Sequence, residues 1–286
     1  MAKVSVLVPA RNEIHLGRTV QDLLDHATGD IEVLAILDGY DHPLPNDPRV
    51  IPLRNLRPEG MRPSVNMAAQ VATGEFLMKC DAHCSFAEGY DEVLQAECDV
   101  DWVVVPRRYS LDPVRWVMVD APRDAHYLGY PFYHPDKPPG LHGLTWKARA
   151  AERQHVLLDD EMSSQGSCWF MSRQHWDKRI GPLDVEHYGP FVNEFQEVGC
   201  KTWLGGGRVV INKKTAYAHL FKRNGQGYVL SPRQSREGRV YCVRHWMLDQ
   251  WPDRVHDLRW LIEKFSPVPE WPADLDEVFR HAREVL

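Results

Sequence analysis

The chain has 286 residues, 43% hydrophobic and 26% charged, with a net charge of −6. That is the composition of a soluble globular protein long enough to bury one large core, and it excludes a disordered or collagen-like chain. No stretch approaches the roughly 18 uninterrupted apolar residues of a membrane span, and Met1-Ala-Lys3 leads straight into a strand pattern, so a cytoplasmic protein with no membrane partner is expected.

In chain order, Lys3-Val-Ser-Val-Leu-Val-Pro9 reads as a buried strand, followed by a helical pattern through His26. A second strand runs from Ile31 to Leu37 and ends at Asp38-Gly39, and a short third covers 49–53. Residues 63–72 suit a helix stopped by Thr73-Gly74, and 75–80 form another strand. Strand and helix alternate, which predicts an α/β fold: a mostly parallel central sheet with helices on both faces. Ligands of such sheets collect beyond the carboxyl ends of the strands, where Ala10-Arg11-Asn12, Asp38-Gly39 and Asp81-Ala82-His83 all lie.

After a strand at 102–106, residues 107–166 are rich in Pro, Tyr and Asp and predict loops and a hairpin bordering the site. Strands are expected at 166–171 and 208–212, with a helix at about 191–198. From Ser231 onward two or three amphipathic helices follow, interrupted by Pro252 and by Ser266-Pro-Val-Pro-Glu-Trp-Pro272. The expected organisation is a main domain over 1–230 and a C-terminal helical extension over 231–286. Trp246, Trp251 and Trp260, at near-helical intervals, read as core.

Three features carry chemistry. In Met78-Lys-Cys-Asp-Ala-His-Cys-Ser-Phe86 a buried run ends in a carboxylate and an imidazole, and a carboxylate there needs a partner or a metal ion. Cys80, His83 and Cys84 offer part of a zinc site, but no second Cys pair stands at ribbon-like spacing, and the six scattered cysteines suit reduced thiols. Between Lys201 and Trp246 ten Lys or Arg residues face the single acid Glu237. Such a stretch in an acidic chain points to an anion, a diphosphate or a nucleic acid, and its plain alternative is a solvated basic face.

The order of these motifs resembles that of nucleotide-sugar glycosyltransferases with the GT-A fold, and within them the polypeptide N-acetylgalactosaminyltransferases. Val6-Leu-Val-Pro-Ala-Arg-Asn-Glu13 is similar to that family's opening pattern. Glu32-Val-Leu-Ala-Ile-Leu-Asp38 follows, with Leu37 replacing the first of two adjacent aspartates. Asp81-Ala-His83-Cys84 resembles its Asp-x-His-Cys metal motif. Gly206-Gly207-Arg208 through His219-Leu-Phe-Lys222 resembles the segment that supplies its third metal ligand. Glu194 and Glu197 match a Glu-Asn-x-Glu motif in which Phe195 replaces Asn.

The resemblance implies a Rossmann-like GT-A enzyme with Mn2+ or Mg2+ bound by Asp81, His83 and His219, and a UDP-sugar donor. Pro9, Ala10, Arg11, Glu13, Asp38 and Asn66 would hold the nucleotide. Lys222 and Arg223 would face the diphosphate from a loop over 221–228 that closes on it. Glu194, Glu197 and Trp203 would shape the sugar and acceptor side as catalytic residues. Retention of anomeric configuration is implied, although many relatives invert, using a carboxylate near the Glu194 position as general base. The plain alternatives are a capped turn for Asp81 and His83, a core histidine for His219, a solvated helix face for Glu194 and Glu197, and a turn residue for Asp38.

The family's membrane anchor and lectin domain are not expected here, so a secreted glycoprotein is a poor acceptor. The basic stretch suggests DNA carrying a hydroxymethylated pyrimidine, as in phages with modified genomes. A cytosolic polysaccharide, lipid-linked or protein acceptor is the alternative. A nucleotidyltransferase or a non-catalytic nucleotide-binding protein remains open as another class.

Overall fold

The structure is a computed structural model and describes residues 2–134, 140–222 and 229–286. Runs of β-branched residues form β1 (Val4–Ala10), β2 (Ile31–Asp38), β3 (Val50–Asn55) and β4 (Phe76–Cys80), separated by α1 (Leu16–His26) and α2 (Met61–Val71). The chain continues through β5 (Cys84–Phe86), α3 (Tyr90–Ala96), β6 (Trp102–Asp112), β7 (Val117–Arg123), β8 (His126–Leu128) and β9 (Gly143–Thr145). Next come α4 (Lys147–Glu152), β10 (Leu158–Asp160), β11 (Cys168–Ser172), the short α5 (Arg173–His175), a π-helical turn at Trp176–Ile180, α6 (Val185–Tyr188), α7 (Glu194–Leu204) and β12 (Arg208–His219). Three helices close the chain: α8 (Pro232–Met247), α9 (Leu258–Phe265) and α10 (Leu275–Val285).

The main sheet runs β10-β12-β6-β11-β4-β1-β2-β3, with β5 beside β12 and β7 beside β6. β3, β2, β1 and β4 are mutually parallel, as are β6 and β12, whereas β11 runs against both β4 and β6. Side chains alternate between two apolar layers, which is why the central strands read as continuous hydrophobic runs. Leu34 and Ile36 of β2 pack with α2, α7 and the three C-terminal helices; Val33 and Ala35 pack with α1 and α3. Trp246 and Trp251 are buried in the first of these layers, and Trp260 packs against it.

Two strands outrun the sequence expectation. β6 extends to Asp112 and pairs with β7 as a hairpin, and β12 extends to His219 past a register shift between Asn212 and Ala216. Charged residues masked both extensions. The Arg107 fork grips Asp124, Lys213 Nζ donates to the Arg153 carbonyl at 2.8 Å, and Lys214 pairs with Glu97. Conversely, the helix expected from about 191 starts only at Glu194, because Asn193 adopts a left-handed φ of 55°. The proline-rich run at 131–140 falls partly outside the described residues. Among the described residues no helix is long and apolar enough to cross a membrane.

Candidate functional site

Strand order and register assemble a three-residue cluster at one edge of the sheet. Asp81 follows the last residue of β4, His83 immediately precedes β5, and His219 ends β12. β5 and β12 are antiparallel with Cys84 opposite His219, and the Leu220 N–H donates to the His83 carbonyl at 3.1 Å. The backbone ladder therefore sets the two imidazoles side by side. Their Nε2 atoms lie 3.1 Å apart, and Asp81 Oδ2 is 3.2 Å from His219 Nε2 and 4.0 Å from His83 Nε2. Among the described residues this is a group of ligand atoms all within 4.8 Å of one another.

The protonation states suit a cation. Burial pushes the His219 imidazole down to about 4, against the opposing pull of Asp81, so its ring is neutral at ordinary pH. Burial would raise the Asp81 carboxyl, but Lys79, His219 and His83 together hold it well below the usual carboxylate range. The neutral His219 imidazole, the Asp81 carboxylate and a ring nitrogen of His83 form a mixed N,O donor set that fits Mn2+ or a similar divalent ion. Zinc ligation through Cys80 and Cys84 is not what the fold provides: both thiols are buried and reduced, and burial raises their pKa values well above the ordinary range.

A ring of charges supports the cluster. His83 Nδ1 meets Glu13 Oε2 at 2.8 Å, so with Nδ1 engaged by the carboxylate Nε2 is the nitrogen that faces Asp81 and His219. Glu13 also pairs with Lys222. Burial would raise this carboxyl, but His83 and Lys222 bring it down to about 2. Lys79, 1% exposed, donates to Asp81 Oδ1 at 2.7 Å, to Glu194 Oε2 at 3.1 Å and to the Gly166 carbonyl. Asp81 and Glu194, against the cost of burial, raise the Lys79 pKa and keep it charged.

A cavity of about 300 Å³ opens beside the cluster, lined in part by Pro9, Ala10, Arg11, Glu13, Asp38 and Lys222. Asp38 is pinned there. Its Oδ2 accepts from Arg11 Nε at 2.7 Å and the Gly60 N–H at 3.0 Å, and its Oδ1 from Asn55 Nδ2 at 2.8 Å and the Glu59 N–H at 2.7 Å. Gly60 (φ 114°) is required, because a Cβ would lie 2.4 Å from Pro190 Cβ. A second cavity of about 520 Å³ shares Met61, Asp81, Phe191, His219 and Leu230 with the first and reaches Glu194, Gln196, His142 and Arg239.

Glu194 lines that second cavity, with Oε1 accepting from Trp169 Nε1 at 2.7 Å. Three other expected site residues lie elsewhere. Glu197 is buried against Arg62 of α2 and accepts from Lys201 Nζ at 2.7 Å. Trp203 is a core residue whose Nε1 donates to the Glu161 carbonyl at 3.0 Å and whose ring meets Phe265. Asn66 stitches α2 to the Leu183 backbone by two hydrogen bonds, of 2.8 and 2.7 Å. None of the three lines either cavity. Arg223 and most of the expected closing loop lie outside the described residues. Sequence reasoning missed Lys79, although its spacing of two from Asp81 on an extended chain was the available signal. Phe221, the first residue of the expected closing loop, lines the first cavity and stacks under Arg108 and Arg123 beside His219.

The basic stretch is divided by the fold. Lys201, Arg208, Lys213, Lys214 and Lys222 are engaged by carboxylates or carbonyls of the protein. α8 carries Arg233, Arg236, Arg239 and Arg244, all exposed, with Glu237 paired to Arg233. Arg239 reaches the second cavity, and the other three line a separate hollow along the helix.

A putative polypeptide N-acetylgalactosaminyltransferase 13 of Drosophila melanogaster is 26% identical over 267 residues, 82% of this chain and 44% of the relative. The structure of GalNAc-T7 with UDP, GalNAc and Mn2+ superposes with a TM-score of 0.67 at 17% identity, covering 99% of this chain and 55% of that one. TarS of S. aureus superposes at 0.55 with 12% identity, covering 86% of this chain and 39% of TarS. The chain thus spans about half the length of these relatives. The structural likenesses establish a GT-A-type fold, and the profile of glycosyl transferase family 2 matches residues 5–179. Taken with the β-strand order and the crevice at the strand ends, that match over more than half of the sequence places the chain in glycosyl transferase family 2.

Proposed function

We propose that the protein is a metal-dependent glycosyltransferase that moves a sugar from a UDP-sugar to a hydroxyl group, with retention, and that the acceptor is a hydroxymethylated pyrimidine in DNA. The observation that carries the reading is the convergence of Asp81, His83 and His219 on one point beside a crevice at the carboxyl ends of parallel strands. Asp81, His83 and His219 would hold the ion, and a divalent cation there supplies Lewis-acid neutralisation of the leaving diphosphate. The relatives support a nucleotide donor: GalNAc-T7 is described with UDP and Mn2+, and a Pyrobaculum calidifontis mannosyltransferase, with a TM-score of 0.50 and 13% identity, with GDP-Man and Mn2+.

The chain's own residues then divide the work. The β1 and β2 ends, with Asp38 rigidly clamped, form a preorganised wall for the nucleoside, and Lys222 brings a cation to the same cavity. The second cavity joins the first at Asp81 and His219 and is the natural place for sugar and acceptor to meet. Both oxygens of its carboxylate, Glu194, already accept from Trp169 and Lys79. Glu194 is therefore held in an ion pair, not set up as a free general base, which supports retention over inversion. The arginines of α8, with Arg239 in that cavity, support a polyanionic acceptor.

The decisive experiment incubates the protein with Mn2+, a panel of sugar nucleotides and DNA containing hydroxymethylcytosine or hydroxymethyluracil. Mass spectrometry of the digested nucleosides should show the gain of one sugar, lost with chelator and with His83→Ala, and NMR should show the donor's anomeric configuration kept. UDP release with no DNA product would remove the acceptor assignment, and UDP binding without any turnover would remove the catalytic one.

A further inference from the structure

Glu13 stands at a junction that neither a ligand nor a plain nucleotide contact needs to occupy. Its Oε2 is shared between two cations or would-be cations from distant parts of the chain: His83 Nδ1, at 2.8 Å, and Lys222 Nζ. Its Oε1 accepts from the His15 N–H at 3.2 Å, which holds the carboxylate from its other oxygen, and its own backbone N–H donates to His42 Nε2 at 3.0 Å. The side chain is only 5% exposed. The second imidazole has no such support: His219 Nδ1 is buried without a hydrogen-bond partner among the described residues.

We propose that Glu13 is a positioning residue that couples cation binding at Asp81, His83 and His219 to diphosphate binding at Lys222. The inference rests on reading the crevice as a metal–diphosphate site. In the donor-free state Lys222 neutralises part of the charge Glu13 can lend to His83. When a diphosphate enters the cavity that Lys222 lines, the ammonium turns from Glu13 to the phosphate oxygens. Glu13 then lends its full negative charge to the His83 ring, whose Nε2 becomes the stronger ligand. Each ligand thereby tightens the other through a shared carboxylate, beyond any direct phosphate–metal contact, and the coupling is reciprocal.

The test is Mn2+ affinity measured by electron paramagnetic resonance, with and without UDP, for the full chain, Glu13→Gln, Lys222→Met and the double variant. Glu13→Gln keeps the shape and one hydrogen bond but removes the charge, and it should weaken Mn2+ binding about 10- to 100-fold, the usual cost of losing an outer partner of a ligating histidine. Lys222→Met should do the reverse, strengthening Mn2+ binding without UDP while weakening UDP binding. In the double-mutant cycle that gain should shrink when Glu13 is already Gln, since the lysine acts through it. The ratio of Mn2+ affinities with and without UDP should fall in both single variants. If the wild-type chain binds neither Mn2+ nor UDP, the metal–diphosphate reading itself fails. If it binds both but Glu13→Gln leaves Mn2+ affinity unchanged, or Lys222→Met lowers it, the coupling role alone is refuted. A merely structural Glu13 would weaken both ligands and never yield the opposite sign at Lys222.

Discussion

Replacing Lys79 by Met should make the protein less stable and better at holding a divalent ion. The ammonium sits 2.7 Å from Asp81 Oδ1 and 3.1 Å from Glu194 Oε2, on a side chain 2% exposed. Removing one partner of a buried ion pair costs about 3–5 kcal/mol, because the abandoned charge stays buried. The Asp81 side chain is 30% exposed and recovers some solvation, which places the expected loss near the lower end, about 3 kcal/mol. For a chain of this size that corresponds to a fall of roughly 6–12 °C in Tm. Without Lys79 the Glu194 carboxyl rises further above its unfolded value, so the deficit should be largest at pH 8 and shrink as pH falls and Glu194 takes up a proton. The ammonium also competes with any cation for Asp81, so Mn2+ should bind Lys79→Met more tightly than wild type and restore more of its stability. Urea unfolding at two pH values, with and without Mn2+, measures every part of this. A loss below about 1 kcal/mol, or weaker Mn2+ binding in the variant, would show that Lys79 does not balance this pair of carboxylates.

Other outcomes follow from the same geometry. His219→Ala and His83→Ala should each abolish the Mn2+ electron paramagnetic resonance signal of the bound ion while leaving far-ultraviolet circular dichroism unchanged. The metal-free protein should lose stability in acid in two windows. His219, depressed to about 4, contributes stability that is complete above about 6.5 and fades as pH falls toward 4; Glu13, depressed to about 2, contributes stability that fades between about 4.5 and 2. Each is worth at most about 3 kcal/mol; in chemical denaturation a flat stability profile between pH 7 and 4 would contradict the first, and a flat profile between pH 4.5 and 2 the second. Glu197→Ala should cost about 3–5 kcal/mol by orphaning the buried Arg62, with Mn2+ affinity untouched, and Arg62→Met with Glu197→Leu should recover most of it. Reversing Arg236, Arg239 and Arg244 to Glu should weaken DNA binding and flatten its dependence on salt, by about 0.9 in the logarithmic slope for each phosphate that is no longer neutralised. An unchanged slope would free α8 of that role.

The sequence was most informative where one physical demand dominated. The parallel half of the sheet is buried on both faces, so β1, β2 and β4 wrote themselves as apolar runs, and the strand ends marked the crevice. Asp81 and His83 were visible because a carboxylate at the end of such a run needs compensation. His219 was not: nothing local distinguishes it, and only the resemblance singled it out from fourteen histidines. Glu194 and Glu197 show the limit of helical periodicity. Three residues along α7 advance about 4.5 Å, enough to move Glu197 from the neighbourhood of Lys79 to that of Arg62. Counting charge failed in the same way, since four of the ten cations in the basic stretch are engaged by partners distant in sequence, and a fifth, Lys201, by Glu197 one turn earlier on α7.

The pairing of β5 with β12 carries a consequence for how this site tolerates change. Because Cys84 faces His219 across an antiparallel ladder, the alignment of two imidazoles is inherited from backbone pairing. A deletion or insertion near the shift between Asn212 and Ala216 would present Ala218 or Leu220 instead and turn every neighbouring side chain to the opposite face. The residue count of β12 is therefore tied to this alignment, and divergence should accumulate in the connecting loops long before it alters that count.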